Sequence, residues 1–267
     1  MPTSAEKVRQ GHAALATMAR REVAGAWLKV ARLPTERIAP IMTDLLMAVA
    51  DKYGTVAGSI AADYYDELRV AAGAPGRFTP EVAALPDVTR FEALARWGVS
   101  PLFAADPNPA KSLSLMSGGL SRIVLGVGRD TIADAVSADP TGPRYARHAS
   151  ANACAFCALL ATRGAVYSSP SSAGVVVGRG TALSTNIGRT SGRMAKGIHA
   201  RGEQALGAKY HDDCHCTSVP VWPGQNYDEA PYVKKWRDAY ANAPAEPGEA
   251  IDLKKTLSSM RTDLDTN

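Results

Sequence analysis

Four cysteines occur in the chain, and all of them fall in one pattern: Cys154-x2-Cys157, then His211-x2-Cys214-x-Cys216. Two tightly spaced ligand pairs, separated by about fifty residues, suit a soft or borderline metal ion. A Cys-x2-Cys turn aims two thiolates at one point and supplies half of a tetrahedron. Cys214 with Cys216 or His211 supplies the other half. Five candidates, Cys154, Cys157, His211, Cys214 and Cys216, therefore compete for four places. Cys154, Cys157 and Cys214 take three of them, and either His211 or Cys216 the fourth. His215 lies between two ligands and would point the other way in an extended segment. Four protein ligands make a closed site, here a structural zinc that staples a domain short of apolar surface. With only three, a metal-bound water would be open to activation. Two disulfides, or buried thiols with no role, are the competing uses of the same residues.

Other chemistry finds less support. A thiol nucleophile would have His148, His211, Asp212 and Asp213 available to it. Yet three further cysteines crowd the same motif, which a nucleophile does not need. The chain has no His-Glu-x2-His, no Gly-x-Ser-x-Gly and no Walker-type phosphate loop. No catalytic residue is assigned, and a non-enzymatic role is favoured over an enzymatic one.

The elements that must position this pattern divide the chain in three. Residues 1–140 are expected to form a helical docking domain. Apolar residues recur there at helical spacing: Leu15, Met18, Ala19, Val23, Ala26, Trp27 and Val30, then Ile38, Ile41, Met42, Leu45, Leu46 and Val49. Pro34 separates the first two helices, and Thr35 with Glu36 starts the second. Gly54-Thr55 is expected to break that second helix, with Ile60, Tyr64, Tyr65 and Leu68 marking a third. A turn over residues 71–76, a short helix from Val88 to Trp97 and a proline-bearing loop from Pro101 to Pro109 follow. A last helix, Leu113 to Val136, carries Gly118, Gly119, Gly126 and Gly128, which predict a kink or a split.

At Asp139-Pro140-Thr141-Gly142-Pro143 the texture changes. Residues 141–227 are expected to form a small α+β domain holding the Cys/His site. Its strand-like runs are Gly164–Tyr167, Gly174–Val177 and Thr217–Trp222. Residues 228–267 return to helix, anchored by Val233, Trp236 and Tyr240, then by Leu253, Leu257 and Met260. The fold class is therefore α+β, a helical N-terminal domain plus a small α+β C-terminal domain with a metal-like site.

The net charge is +4, a mild excess that permits an acidic partner without demanding one. It is concentrated locally. Residues 174–209 hold eight glycines and six basic residues, Arg179, Arg189, Arg193, Lys196, Arg201 and Lys209, against the single acid Glu203. A local charge of +5 suits the phosphate backbone of DNA or an acidic protein surface. Without aromatic residues interleaved, base stacking is not expected. The first residues lack the apolar stretch of a secretory signal, and no apolar run approaches the roughly 18 residues of a membrane span. The expected location is a cytoplasm, where thiols stay reduced and paired cysteines more often hold metal.

The stretch from Arg147 to Tyr167 (RHASANACAFCALLATRGAVY), followed by Tyr210–Thr217 (YHDDCHCT), resembles the Mu F-like minor capsid proteins of tailed phages. It is most similar to the branch of actinobacterial phages, the gene 15 protein family of mycobacteriophages. Asp63–Arg69 resembles that family's N-terminal half. The resemblance departs at Ala155, where relatives tend to have proline, and at His215, where many carry arginine. It implies a head-morphogenesis protein that enters the procapsid near the portal and scaffold. It implies portal, scaffold and major capsid protein as partners, possible contact with packaged DNA, and passage from host cytoplasm to virion. Such genes are often labelled capsid maturation protease, which is the enzymatic alternative; a DNA- or portal-binding ejection module is another. Some relatives carry a fused ADP-ribosyltransferase, whose Glu-x-Glu pair this chain lacks.

Overall fold

A computed structural model describes residues 3–167, 214–244 and 253–266. Among them the chain divides into two compact units. One is built from residues 3–66 and 79–132 together with Cys214 and His215, the other from the described residues among 67–78, 133–167, 216–244 and 253–266. No helix among the described residues is long and apolar enough to cross a membrane.

The first unit is helical. Helix α1 spans Ser4–Val30; Thr3 caps it by accepting the Glu6 N–H at 3.2 Å. Its apolar stripe, Ala16, Ala19, Val23 and Trp27, is buried at helical spacing. Helix α2 spans Thr35–Ala71, helix α3 Val88–Val99 and helix α4 Pro109–Ala138, with a short 3-10 turn at Ser100–Phe103 between the last two. Asp87 caps α3 through the Thr89 N–H at 2.9 Å. The stripes meet in one core in which Val23, Trp27, Met42, Leu46, Phe91, Met116 and Leu120 are all buried.

Two expected helix breaks at glycine, the one at Gly54 and a split of the last helix, are absent for one reason. Helix α2 runs unbroken through Gly54, and α4 is a single helix through its glycines. These glycines mark close approach. A Cβ at Gly58 would lie 2.4 Å from Val82 Cγ1, and one at Gly54 would lie 3.0 Å from Val127 Cγ2. At Gly119 it would lie 2.3 Å from Leu94 Cδ1, and at Gly98 2.1 Å from Met116 Cγ. Helical propensity yields to packing at these positions, because a missing side chain lets neighbouring elements touch.

The second unit is small and mixed. Strand β1 (Arg144–His148) pairs antiparallel with β2 (Thr217–Val221), in a register that sets Arg144 opposite Val221 and His148 opposite Thr217. Strand β1 has no counterpart among the sequence expectations: two arginines and a histidine in five residues do not look like a strand whose last four side chains are buried. The run Gly164–Tyr167 contracts to one bridge, Tyr145 to Tyr167, with Tyr145 N–H to Tyr167 O at 2.7 Å. That bridge uses the backbone groups of Tyr145, which faces Pro220 across the sheet, a residue with no N–H to give. Helices α5 (Ala155–Ala161), α6 (Val233–Asn242) and α7 (Leu253–Leu264) complete the unit.

The turn into β1 is fixed by a buried ion pair. Arg69 Nε donates to Asp139 Oδ2 at 2.9 Å, while its other nitrogens donate to the carbonyls of Pro75 and Gly76. Asp139 Oδ1 accepts from the Thr141 backbone and hydroxyl at 3.0 and 2.7 Å. Gly142, at φ 69°, occupies the left-handed conformation that the turn requires. Trp222, just past β2, returns its indole N–H to Thr141 Oγ1 at 3.0 Å.

Candidate metal centre

Cys154 is the N-cap of α5. Its backbone is extended, and its sulfur accepts the Cys157 N–H at 3.5 Å. The x2 spacing thus puts Cys157 in the first turn of a helix that buries Ala158, Leu159, Leu160 and Ala161 behind it. Cys214 and Cys216 lie on the run that leads into β2, whose first residue, Thr217, pairs with His148. This run carries no regular secondary structure, yet it brings the sulfurs of Cys214 and Cys216 to one place.

The sulfurs of Cys157, Cys214 and Cys216 all lie within 4.8 Å of one another, and all three residues are buried. Cys157 and Cys216 are 3.8 Å apart at sulfur. With a Zn–S bond of about 2.3 Å, two ligands at a tetrahedral angle are separated by about 3.8 Å. A disulfide would need about 2.05 Å, and none of the four cysteines is in a disulfide. The spacing therefore fits two corners of one coordination sphere. The donor set is all sulfur, which suits a soft or borderline cation and disfavours magnesium or calcium. The three thiols are buried to 3–5% exposure, which shields them from a macromolecular substrate.

The structure brings together three of the five ligand candidates. Cys154 stands outside that group, at the N-cap three residues before Cys157. His211 lies outside the described residues, as do Asp212, Asp213 and the basic series Arg179, Arg189, Arg193, Lys196, Arg201 and Lys209. His148 is buried in β1, and its Nδ1 lies 3.3 Å from the Tyr227 hydroxyl.

Two residues that no motif marks stand out in the surroundings. Arg129 on α4 and Arg147 on β1 are each 1% exposed and head the largest fully buried side chains. Arg129 Nη2 donates to the carbonyl of Cys214. The Arg147 guanidinium lies over the Tyr167 ring, 6.0 Å from its centroid. An arginine is almost never fully buried without acceptors or opposite charge around it. Neither stands out by spacing, because an arginine on a helix or strand reads as surface until the fold is known.

One further buried group faces Arg129. His12 of α1 is buried, with Nε2 3.0 Å from the Ala57 carbonyl. Burial lowers its pKa from 6.5 to about 4, against the raising effect of the Ala57 hydrogen bond and with a smaller push from the Arg129 charge. Gly128 leaves room for that ring: a Cβ there would sit 2.7 Å from His12 Cε1.

The family model of the VG15 protein matches residues 1–243. No curated protein and no solved structure matches the chain.

Proposed function

Because the chain belongs to the VG15 protein family, a family of viral gene products, we propose that it is a structural protein of a tailed-phage head. In this reading it is a minor capsid protein of the Mu F-like kind, made in the host cytoplasm and carried into the virion. It acts near the portal during procapsid assembly and DNA packaging or ejection. The observation that carries a structural rather than an enzymatic role is the burial of Cys157, Cys214 and Cys216 around one point. A thiol nucleophile must meet its substrate, and these do not.

The metal is a structural zinc, with Cys157, Cys214 and Cys216 as three ligands and Cys154 or His211 as the fourth. Zinc supplies no reaction here. It ties α5 to the segment before β2, and so closes a loop that a two-stranded sheet could not hold alone. The residues between the two ligand pairs include the basic series Arg179 to Lys209, whose excess charge suits packaged DNA or an acidic portal or scaffold surface. The helical residues 1–140 serve as the docking part.

The test is co-expression with the major capsid, scaffold and portal proteins, followed by mass spectrometry of purified procapsids. The expected result is incorporation at low copy with the capsid and scaffold N-termini untrimmed. Trimming that depends on this chain, and stops with a point variant of it, would instead establish a maturation protease. DNA retention at low salt, lost on replacing Arg179, Arg189 and Arg193 by alanine, would locate the nucleic-acid contact.

A further inference from the structure

We infer that Arg129 is a positioning residue for the metal centre, holding the Cys214–Cys216 run in its ligating shape through the Cys214 carbonyl; this rests on the metal reading above. The argument begins with cost. Arg129 is 1% exposed on a helix whose other buried positions are apolar or small. Taking a guanidinium out of water is expensive, and a helical core has no intrinsic use for one. Its Nη2 reaches a carbonyl 85 residues further along the chain, that of Cys214 itself.

That carbonyl is the useful place to hold. The Cys214–Cys216 run is irregular, with no ladder partner until Thr217. A hydrogen bond at the Cys214 peptide fixes the rotation of the backbone between the two thiols, and so the direction of both. The fixed fork of a guanidinium does this better than a flexible ammonium. Its charge also has the right sign. Three thiolates on a divalent cation leave a net negative charge, which a buried cation nearby offsets. Outer groups of this kind set metal affinity by orienting the ligands, without touching the ion.

The test is cobalt(II) titration of the full-length chain, read by its thiolate-to-cobalt charge-transfer absorption, with zinc affinity measured by competition against a chelating dye. Arg129→Met keeps the volume and removes donor and charge; Arg129→Lys keeps the charge and removes the fork. The expected result is zinc affinity lower by about 10- to 100-fold in Arg129→Met. Arg129→Lys is expected to fall by a smaller factor, with an altered cobalt spectrum. Circular dichroism establishes that each variant is folded; if Arg129→Met is not, Arg129→Lys decides alone. Native affinity and spectrum in every folded variant would overturn the inference while leaving the metal site standing. Absence of a cobalt–thiolate spectrum in the unaltered chain would overturn the metal reading itself.

Discussion

The sulfurs of Cys157 and Cys216 lie 3.8 Å apart although 59 residues separate them in the chain. Cys157 is held in the first turn of α5, and Cys216 by the start of β2, so two separate elements fix one distance. Neither is large. A seven-residue helix and a five-residue strand have little stability of their own, and a cross-link between them matters in proportion. Stripping the metal with a chelator should therefore lower the thermal midpoint of the second unit, and Cys157→Ser should abolish the response to zinc. Differential scanning calorimetry with and without zinc checks both. Of Cys154→Ser and His211→Ala, the one that loses most zinc affinity identifies the fourth ligand.

His12 gives a pH dependence whose sign is fixed. Its folded pKa lies near 4, below the 6.5 of the unfolded chain. Between these values the unfolded state binds the extra proton, so stability is intact above pH 6.5 and falls as the pH drops towards 4. The loss is about 3 kcal/mol when complete. His12→Gln retains a donor for the Ala57 carbonyl and does not titrate. Urea midpoints from pH 7 to pH 4 should drop less steeply in that variant than in the native chain.

The glycines of the helical unit should respond in opposite directions. Gly25→Ala in α1 meets nothing within 4 Å and gains helical propensity, a stabilisation of up to about 1 kcal/mol. Gly58→Ala places its methyl 2.4 Å from Val82 Cγ1, a stiff side chain, and overpacking typically costs about 1–3 kcal/mol. Denaturation midpoints measured side by side should move apart.

The Arg69–Asp139 pair should be costly to break from one side. The Asp139 side chain is 0% exposed and that of Arg69 8%. Asp139→Asn keeps an acceptor for Thr141 but leaves a buried guanidinium without its counter-charge. A loss of about 3–5 kcal/mol is expected, seen as a lower urea midpoint.

These sites differ in how far they could be read from sequence. The helices of the first unit were legible because Val23, Trp27, Met42 and Leu46 repeat at the helical period and Pro34 punctuates them. The expected break at Gly54 is absent because a glycine that breaks a helix and one that admits a neighbour look alike until the neighbour is known. Cys214 and Cys216 come together as their Cys-x-Cys spacing suggests, whereas Cys157 joins them from a distant part of the chain and without Cys154, its partner in the Cys-x2-Cys pair. Strand β1 and Arg129 were invisible. Arg144–His148 is a strand only because Thr217–Val221 lies beside it, and Arg129 is buried only because a distant carbonyl meets it.

The most direct test of a thiol cluster built to hold metal is the metal and thiol content of one purified sample. Elemental analysis should find about one zinc per chain, and thiol titration after unfolding in chelator should find all four cysteines reduced. Protein free of metal, with Cys157 and Cys216 recovered as a disulfide, would contradict the account.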